Sequence, residues 1–309
     1  MINRFLQKLT ITDYRHFIKL PGHHVFLYLC LSVFCYSCLK IPADSLYYFF
    51  IVLIIPPAYL RGMSKYAHDS VVPDENSSLH KKEQVAEMFN DIAFRYDFLN
   101  RFLSAGIDVG WRKKAIRELK EIQPATILDV ATGTGDVAIL ASKMLQPQKV
   151  TGIDISKGML ELGRKKVEKL KLSDKIILEE GDSETIKYAP ASFDGITVAF
   201  GVRNFQDLEK GLSEMYRVLK PGGKMVILEF SRPKATGIKS LYNLYMKLIA
   251  PGLGGIISKN KDAYTYLNNS VQAFPEREAF LDIMRKTGFI KTYFKTLSSG
   301  ICCIYCGSK

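Results

Sequence analysis

A chain of 309 residues, 47% hydrophobic and 24% charged, can bury one large core, which excludes intrinsic disorder as its default state. Its net charge of +12 suits nucleic acid, anionic lipid or an acidic ligand. No Lys/Arg stripe interleaved with stacking aromatics is present, so nucleic acid is set aside and a membrane surface is the preferred partner.

Residues 25–39 and 46–60 are two apolar runs separated by Lys40-Ile41-Pro42-Ala43-Asp44 and flanked on both outer sides by basic residues. Each is short of the roughly 20 residues a helical span needs. Inserted as a hairpin, they would leave both ends on the cytoplasmic side, because Arg4, Lys8, Arg15, Lys19, Arg61 and Lys65 lie outside them. Met63 opens a polar stretch that reads as a natural start, so 1–62 is either an apolar anchor or a segment that is not made. Residues 63–309 are expected to form the catalytic domain, cytoplasmic and peripheral to, or anchored at, the inner membrane.

From residue 83, Val85, Met88, Phe89, Ile92, Ala93 and Tyr96 recur at helical spacing, and a second helix is expected over 111–119. Strand and helix then alternate: strands at 126–130, 149–153, 176–180, 193–199 and 224–230, with helices ending near 144, 170 and 219. Such alternation predicts an α/β fold with a mainly parallel sheet and helices on both faces. Residues 232–274 break it with a long aromatic-rich insertion, read as a substrate lid, in which Tyr242, Tyr245, Leu248, Tyr264 and Tyr266 offer apolar surface for a lipid tail. A helix over 276–287 and strands at 289–296 and 300–306 close the domain. Cys302, Cys303 and Cys306 fall in the last strand and Cys30, Cys35 and Cys38 in the first apolar run; neither group resembles a disulfide framework, and Cys303-x-x-Cys306 without a second pair reads as buried packing rather than a metal site.

The strongest motif is Ile127-Leu128-Asp129-Val130-Ala131-Thr132-Gly133-Thr134-Gly135-Asp136, a buried strand entering a glycine turn and then a helix. Gly133 and Gly135 would let a ligand approach the backbone. Asp154 ends the second strand, where a carboxylate accepts both hydroxyls of an adenosine ribose. These features also satisfy the dinucleotide fingerprint, which alone is weak. Asp136 at the helix start separates the two cofactors, since it repels a pyrophosphate and tolerates a sulfonium or ammonium. Two further segments are generic alone: the acidic loop Gly181-Asp182-Ser183-Glu184 and the turn Lys220-Pro221-Gly222-Gly223.

In order and spacing these four segments resemble the S-adenosylmethionine-dependent methyltransferases of the Rossmann-like class I type, with a seven-stranded sheet. More narrowly, residues from about 81 to 309 resemble the demethylmenaquinone and polyprenyl-benzoquinol C-methyltransferases of quinone biosynthesis. The carriers are Phe89-Asn90-x-Ile92-Ala93-x-x-Tyr96-Asp97, Trp111-Arg112, the glycine turn, Ala199-Phe200-Gly201-Val202-Arg203-Asn204 and Met215-Tyr216-Arg217-Val218-Leu219-Lys220-Pro221-Gly222-Gly223. The resemblance implies S-adenosyl-L-methionine as co-substrate, no metal, and Thr134, Asp154, Asp182 and Ser183 as cofactor contacts. It implies demethylmenaquinol as acceptor, with a polyprenyl-benzoquinol as the alternative.

Carbon methylation needs an electron-rich ring, which a quinol supplies once its hydroxyl loses a proton, together with dry positioning. Arg203 and Asn204 follow the fourth strand at its carboxyl end and are expected to act there, Arg203 on the forming phenolate and Asn204 on ring orientation, with Asp136 completing the candidate catalytic set. The bland readings are a structural ion pair for Arg203 and a helix cap for Asn204. Tyr96 and Asp97 are candidates to close over the cofactor. A nicotinamide-dependent oxidoreductase and a non-catalytic scaffold of a quinone-biosynthesis assembly are the rivals from other classes.

Overall fold

In a computed structural model of the chain, the described residues are 66–104, 106–233 and 261–309. The apolar segment 1–62 and most of the insertion at 232–274 lie outside them. The described elements run α1 (Lys81–Leu103), α2 (Ile107–Arg117), β1 (Thr126–Val130), α3 (Asp136–Leu145), β2 (Lys149–Asp154), α4 (Lys157–Lys169), β3 (Ile176–Glu180), β4 (Phe193–Ala199), α5 (Leu208–Val218), β5 (Leu219–Phe230), α6 (Lys261–Ala273), α7 (Glu278–Lys286), β6 (Ile290–Leu297) and β7 (Cys302–Ser308).

The strands form one sheet in the order β3-β2-β1-β4-β5-β7-β6, parallel except at β7, which runs antiparallel to both its neighbours. β1, β2 and β4 are buried along most of their length because both sheet faces are covered. Alternate residues sort the core into two layers. Leu128, Ile196 and Ile227 join Leu212, Met215 and Phe280 of α5 and α7, whereas Ile127 and Val150 join Ile116, Ala138 and Leu160 of α2, α3 and α4. The chain passes from β1 outward to β2 and β3 and then returns to β4 on the other side of β1. That reversal opens a crevice beyond the carboxyl ends of β1 and β4, the usual ligand position in an open α/β sheet.

Two boundaries differ from the sequence expectation by a helical turn or more. β5 begins at Leu219 rather than 224: Leu219 pairs with Phe193 and Lys224 with Gly195, so residues 220–223 bulge out of the strand, with Gly222 at φ +77°. The Pro-Gly-Gly sequence is therefore a bulge within a strand rather than a turn before one. α2 starts at Ile107, a turn earlier than 111. The polar stretch before α1 contains a short 3₁₀ turn, Ala67–Ser70, that buries His68. On β7, Cys302, Cys303 and Cys306 are free and buried. Cys303 packs in one core layer and Cys306 in another, on opposite strand faces, so the two thiols do not converge as a chelate.

Candidate active site

The glycine turn leaving β1 is held from below. Asp129, buried in β1, accepts hydrogen bonds from Thr132 Oγ1 at 2.6 Å and from Thr197 Oγ1 of β4 at 2.7 Å, which ties the turn to both central strands. Burial outweighs those bonds and pushes its carboxyl up to about 6. Gly133 and Gly135 take the left-handed backbone, at φ +55° and +78°, and so does Ala131 at φ +54°. A Cβ on Gly133 would meet no heavy atom within 4 Å, whereas one on Gly135 would press on Leu178 at 3.1 Å. Gly133 thus presents bare backbone to open space and Gly135 closes the joint into α3.

Asp154, at the end of β2, is fixed by backbone. Its Oδ2 accepts from Gly133 N and its Oδ1 from Ser156 N, each at 2.8 Å. Burial raises its carboxyl above the ordinary range despite these donors. Asp182 lies one strand further on, after β3, and Lys82 at the start of α1 bridges Asp182 at 2.6 Å and Glu184 at 2.9 Å. Glu184 in turn accepts from Gln206 N and Asp207 N at 2.9 and 3.0 Å, which links the β3 and β4 loops. Asn90 of α1 accepts from Ser156 Oγ and Gly158 N, tying that helix to the turn after β2.

Together these residues line an open cleft with about 650 Å³ of empty space, part of it continuous with solvent. Gly133, Asp154, Asp182, Ser183 and Asn204 of the predicted set share its wall with Phe89, Tyr96, Met159, Phe200 and Phe205. The other predicted residues stand behind it. Thr134 donates to Asp97 at 2.7 Å and accepts from Lys166 at 2.9 Å. Asp136 is tied to Lys166 at 2.7 Å, Arg101 at 3.1 Å and Arg112 at 3.3 Å. Burial pushes its carboxyl up, and those three cations hold it below the usual range. Arg203 is buried, with Nη1 2.6 Å from Phe200 O and 2.7 Å from Glu229 Oε1. Asn204 keeps its place on the wall and accepts from Tyr266 Oη of α6 at 3.1 Å.

Sequence reasoning missed Lys82 and Glu229 and read Tyr266 only as apolar surface of the insertion. A glutamate inside the strand run Met225-Val226-Ile227-Leu228-Glu229-Phe230, whose other side chains are apolar, was a usable signal, since a buried charge demands a partner. Lys82 carried none, because its partners lie 100 and 102 residues away.

The wall fits an adenosine-bearing, positively charged ligand: a backbone cradle that a Cβ would fill at Gly133, acidic groups ending β2 and following β3, and apolar surface between them. Asp136 at the start of α3 is neutralised by Lys166, Arg101 and Arg112 and is absent from the cleft wall, so its charge does not itself discriminate against a pyrophosphate. The sheet order is that of a Rossmann-like class I methyltransferase fold. Among solved structures the chain is similar to a SAM-dependent methyltransferase from Thermotoga maritima, at TM-score 0.50 and 22% identity over 72% of this chain and 99% of that one. It is also similar to the [4+2]-cyclase SpnF, at TM-score 0.51 and 16% identity over 74% and 96%. Those likenesses carry the fold and, as the cyclase illustrates, no particular reaction.

Sequence relatives are nearer. The ubiE/COQ5 methyltransferase family matches residues 77–309. A demethylmenaquinone methyltransferase of Bacteroides fragilis is 48% identical over 244 residues, 79% of this chain and 99% of the relative. A ubiquinone/menaquinone biosynthesis C-methyltransferase of Geotalea daltonii is 47% identical over 230 residues, 74% and 97%. The chain belongs to the ubiE/COQ5 methyltransferase family.

Proposed function

We propose that this enzyme transfers the methyl group of S-adenosylmethionine to a ring carbon of demethylmenaquinol, yielding menaquinol. The observation that carries the reading is the cleft at the β1–β4 switch point, whose wall Asp154, Asp182 and bare Gly133 share with Phe200, Phe205 and Asn204. The acceptor is inferred from the relatives, among them the demethylmenaquinone methyltransferases of Bacteroides fragilis and Porphyromonas gingivalis at 48% and 45% identity. A polyprenyl-benzoquinol is the second reading, favoured by the relatives whose names join ubiquinone and menaquinone biosynthesis.

When bound, the co-substrate supplies a methyl group already activated on a sulfonium. The chain's own task is positioning, desolvation and the handling of one proton. Asp154 is assigned to the ribose hydroxyls, Asp182 and Ser183 to the adenine edge, and Gly133 to close approach of the backbone. Asn204 is assigned to the quinol oxygen. Arg203 is assigned to support behind it, its charge shared with Glu229, rather than to direct contact. Thr134, Gly135 and Asp136 are assigned to holding the turn and α3 in place. Phe200 and Phe205 exclude water from the reacting carbon.

The enzyme is further proposed to work at the cytoplasmic face of a membrane, where a prenylated quinol resides. The apolar runs with basic flanks in 1–62 motivate this, and no described helix is long and apolar enough to cross a membrane. The test is a parallel assay of the full chain on reduced demethylmenaquinone and on a polyprenyl-benzoquinol, with product mass as the readout. A gain of one methyl on the naphthoquinol supports the reading; methylation of the benzoquinol alone overturns it in favour of the second.

A further inference from the structure

Asn204 is the polar side chain that β4 and its following 3₁₀ turn, Val202–Asn204, deliver to the cleft wall. A carboxamide can face a ligand with either its oxygen or its amino group, and the two faces recognise opposite partners. Here the choice is made from outside the turn. Tyr266, on α6 and only 3% exposed, reaches Asn204 Oδ1 with its hydroxyl at 3.1 Å. Burial pushes the Tyr266 phenol far above its ordinary range, so it remains a donor. The Asn204 amino group is left with one long contact, 3.5 Å to Phe200 O, a carbonyl that already accepts from Arg203 at 2.6 Å. Arg203, 5% exposed, also keeps a buried Nε without a partner among the described residues, so the wall behind Asn204 is rich in donors.

We propose that Tyr266 is a positioning residue for the methyl acceptor: it pins the Asn204 oxygen into the wall and turns the amino group to the cleft, so that this point of the site takes a hydrogen-bond acceptor, a quinol or phenolate oxygen. This rests on the proposed function for the identity of that oxygen, and on the geometry alone for the orientation. Tyr266 touches neither reacting atom. It acts through Asn204, and the two residues should behave as one unit.

The experiment compares Tyr266→Phe, Asn204→Ala and the double variant of the full chain in two arms. In the first, methyl transfer to demethylmenaquinol is measured beside cofactor affinity. Loss of one orienting hydrogen bond should lower kcat roughly five- to tenfold in Tyr266→Phe. Cofactor affinity should be unchanged, and the double variant should be no worse than Asn204→Ala. Multiplying losses in the double variant, or Tyr266→Phe turnover within about twofold of wild type, would overturn the proposal. The second arm needs no acceptor: in protein labelled with ¹⁵N-asparagine, the side-chain amide pair lost in Asn204→Ala should shift or broaden in Tyr266→Phe. An unmoved pair overturns the proposal even where turnover changes. If the wild type binds cofactor and leaves the naphthoquinol unmethylated, the functional reading fails while the amide signal still decides the orientation.

Discussion

The Glu229 carboxylate of β5 and the Arg203 guanidinium meet at 2.7 Å beneath the cleft, with 0% and 6% of their side chains exposed. Glu229 Oε1 also accepts from Phe230 N at 2.9 Å, so the acid is anchored to its own strand while it holds the arginine. Removing one member of such a pair leaves an uncompensated buried charge. Glu229→Ala should therefore cost about 3–5 kcal/mol, read from urea unfolding. The double change Glu229→Met with Arg203→Met should cost clearly less than that single one. A Glu229→Ala protein as stable as wild type would contradict the pairing.

Two glycines of the cofactor side separate binding from folding. At Gly133 an added methyl enters open space at φ +55°, so Gly133→Ala should cost about 1 kcal/mol of stability and weaken cofactor binding by more than that. At Gly152 the methyl would lie 2.5 Å from Leu178 Cδ2 and 2.6 Å from Thr132 Oγ1, so Gly152→Ala should cost about 1–3 kcal/mol through overpacking. Calorimetric titration with the cofactor and thermal melts distinguish the two.

Asp154 has two tasks that substitution can split. Asp154→Asn keeps an oxygen for one of the two backbone donors and loses the charge; cofactor affinity should fall about tenfold or more, roughly 1.4 kcal/mol, with a smaller loss of stability than in Asp154→Ala. Asp154→Ala also strands the Gly133 and Ser156 amides, adding about 1–3 kcal/mol of destabilisation. Equal affinity in Asp154→Ala and wild type would remove Asp154 from the cofactor site.

His68 sets a pH dependence. It is 0% exposed, edge-on to Phe274 at 5.6 Å between ring centroids, and Lys81 Nζ donates to its carbonyl at 2.6 Å. Burial, with help from the Lys81 charge, pushes its imidazole down to about 3, against the opposing pull of Asp69, whose Oδ1 lies 3.2 Å from Nε2. Above the unfolded value of about 6.5 both states are neutral and the group is silent; below it the unfolded chain binds a proton that the folded one refuses. Stability from this group is therefore lost as pH falls from about 6.5 towards 3, by up to about 1.4 kcal/mol per unit. Asp129, raised to about 6, works in the opposite sense and loses stability as pH rises through that value. Comparing His68→Phe with wild type cancels Asp129: the variant should gain relative stability steadily on acidification, and parallel curves would refute the burial of a neutral ring.

Most of the sheet was legible because its signals are local. The runs ending in Val130, Asp154, Glu180 and Ala199 are bounded by glycine, proline or charge, and their limits in the structure agree with the reading to within a residue. The bulge at 220–223 was not, since whether a Pro-Gly-Gly turn precedes a strand or interrupts it is decided by Phe193, a partner far away in sequence. The site divides in the same way. Asp154 and Gly133 follow from strand ends and turn chemistry. Asp136 was correctly placed at a helix start, but Arg101, Arg112 and Lys166 come from three other helices to neutralise it. Tyr266 read as one more aromatic in an apolar stretch, and only the fold brings it to Asn204, 62 residues away.

The central claim is carbon methylation of a reduced naphthoquinol, and the most direct measurement is label transfer from S-adenosylmethionine by the full chain to demethylmenaquinone, chemically reduced or left oxidised. One methyl per ring is expected on the reduced compound and none on the oxidised one, because only the quinol can develop phenolate character beside Asn204. A protein that binds the cofactor yet labels neither form, or labels both equally, would contradict it.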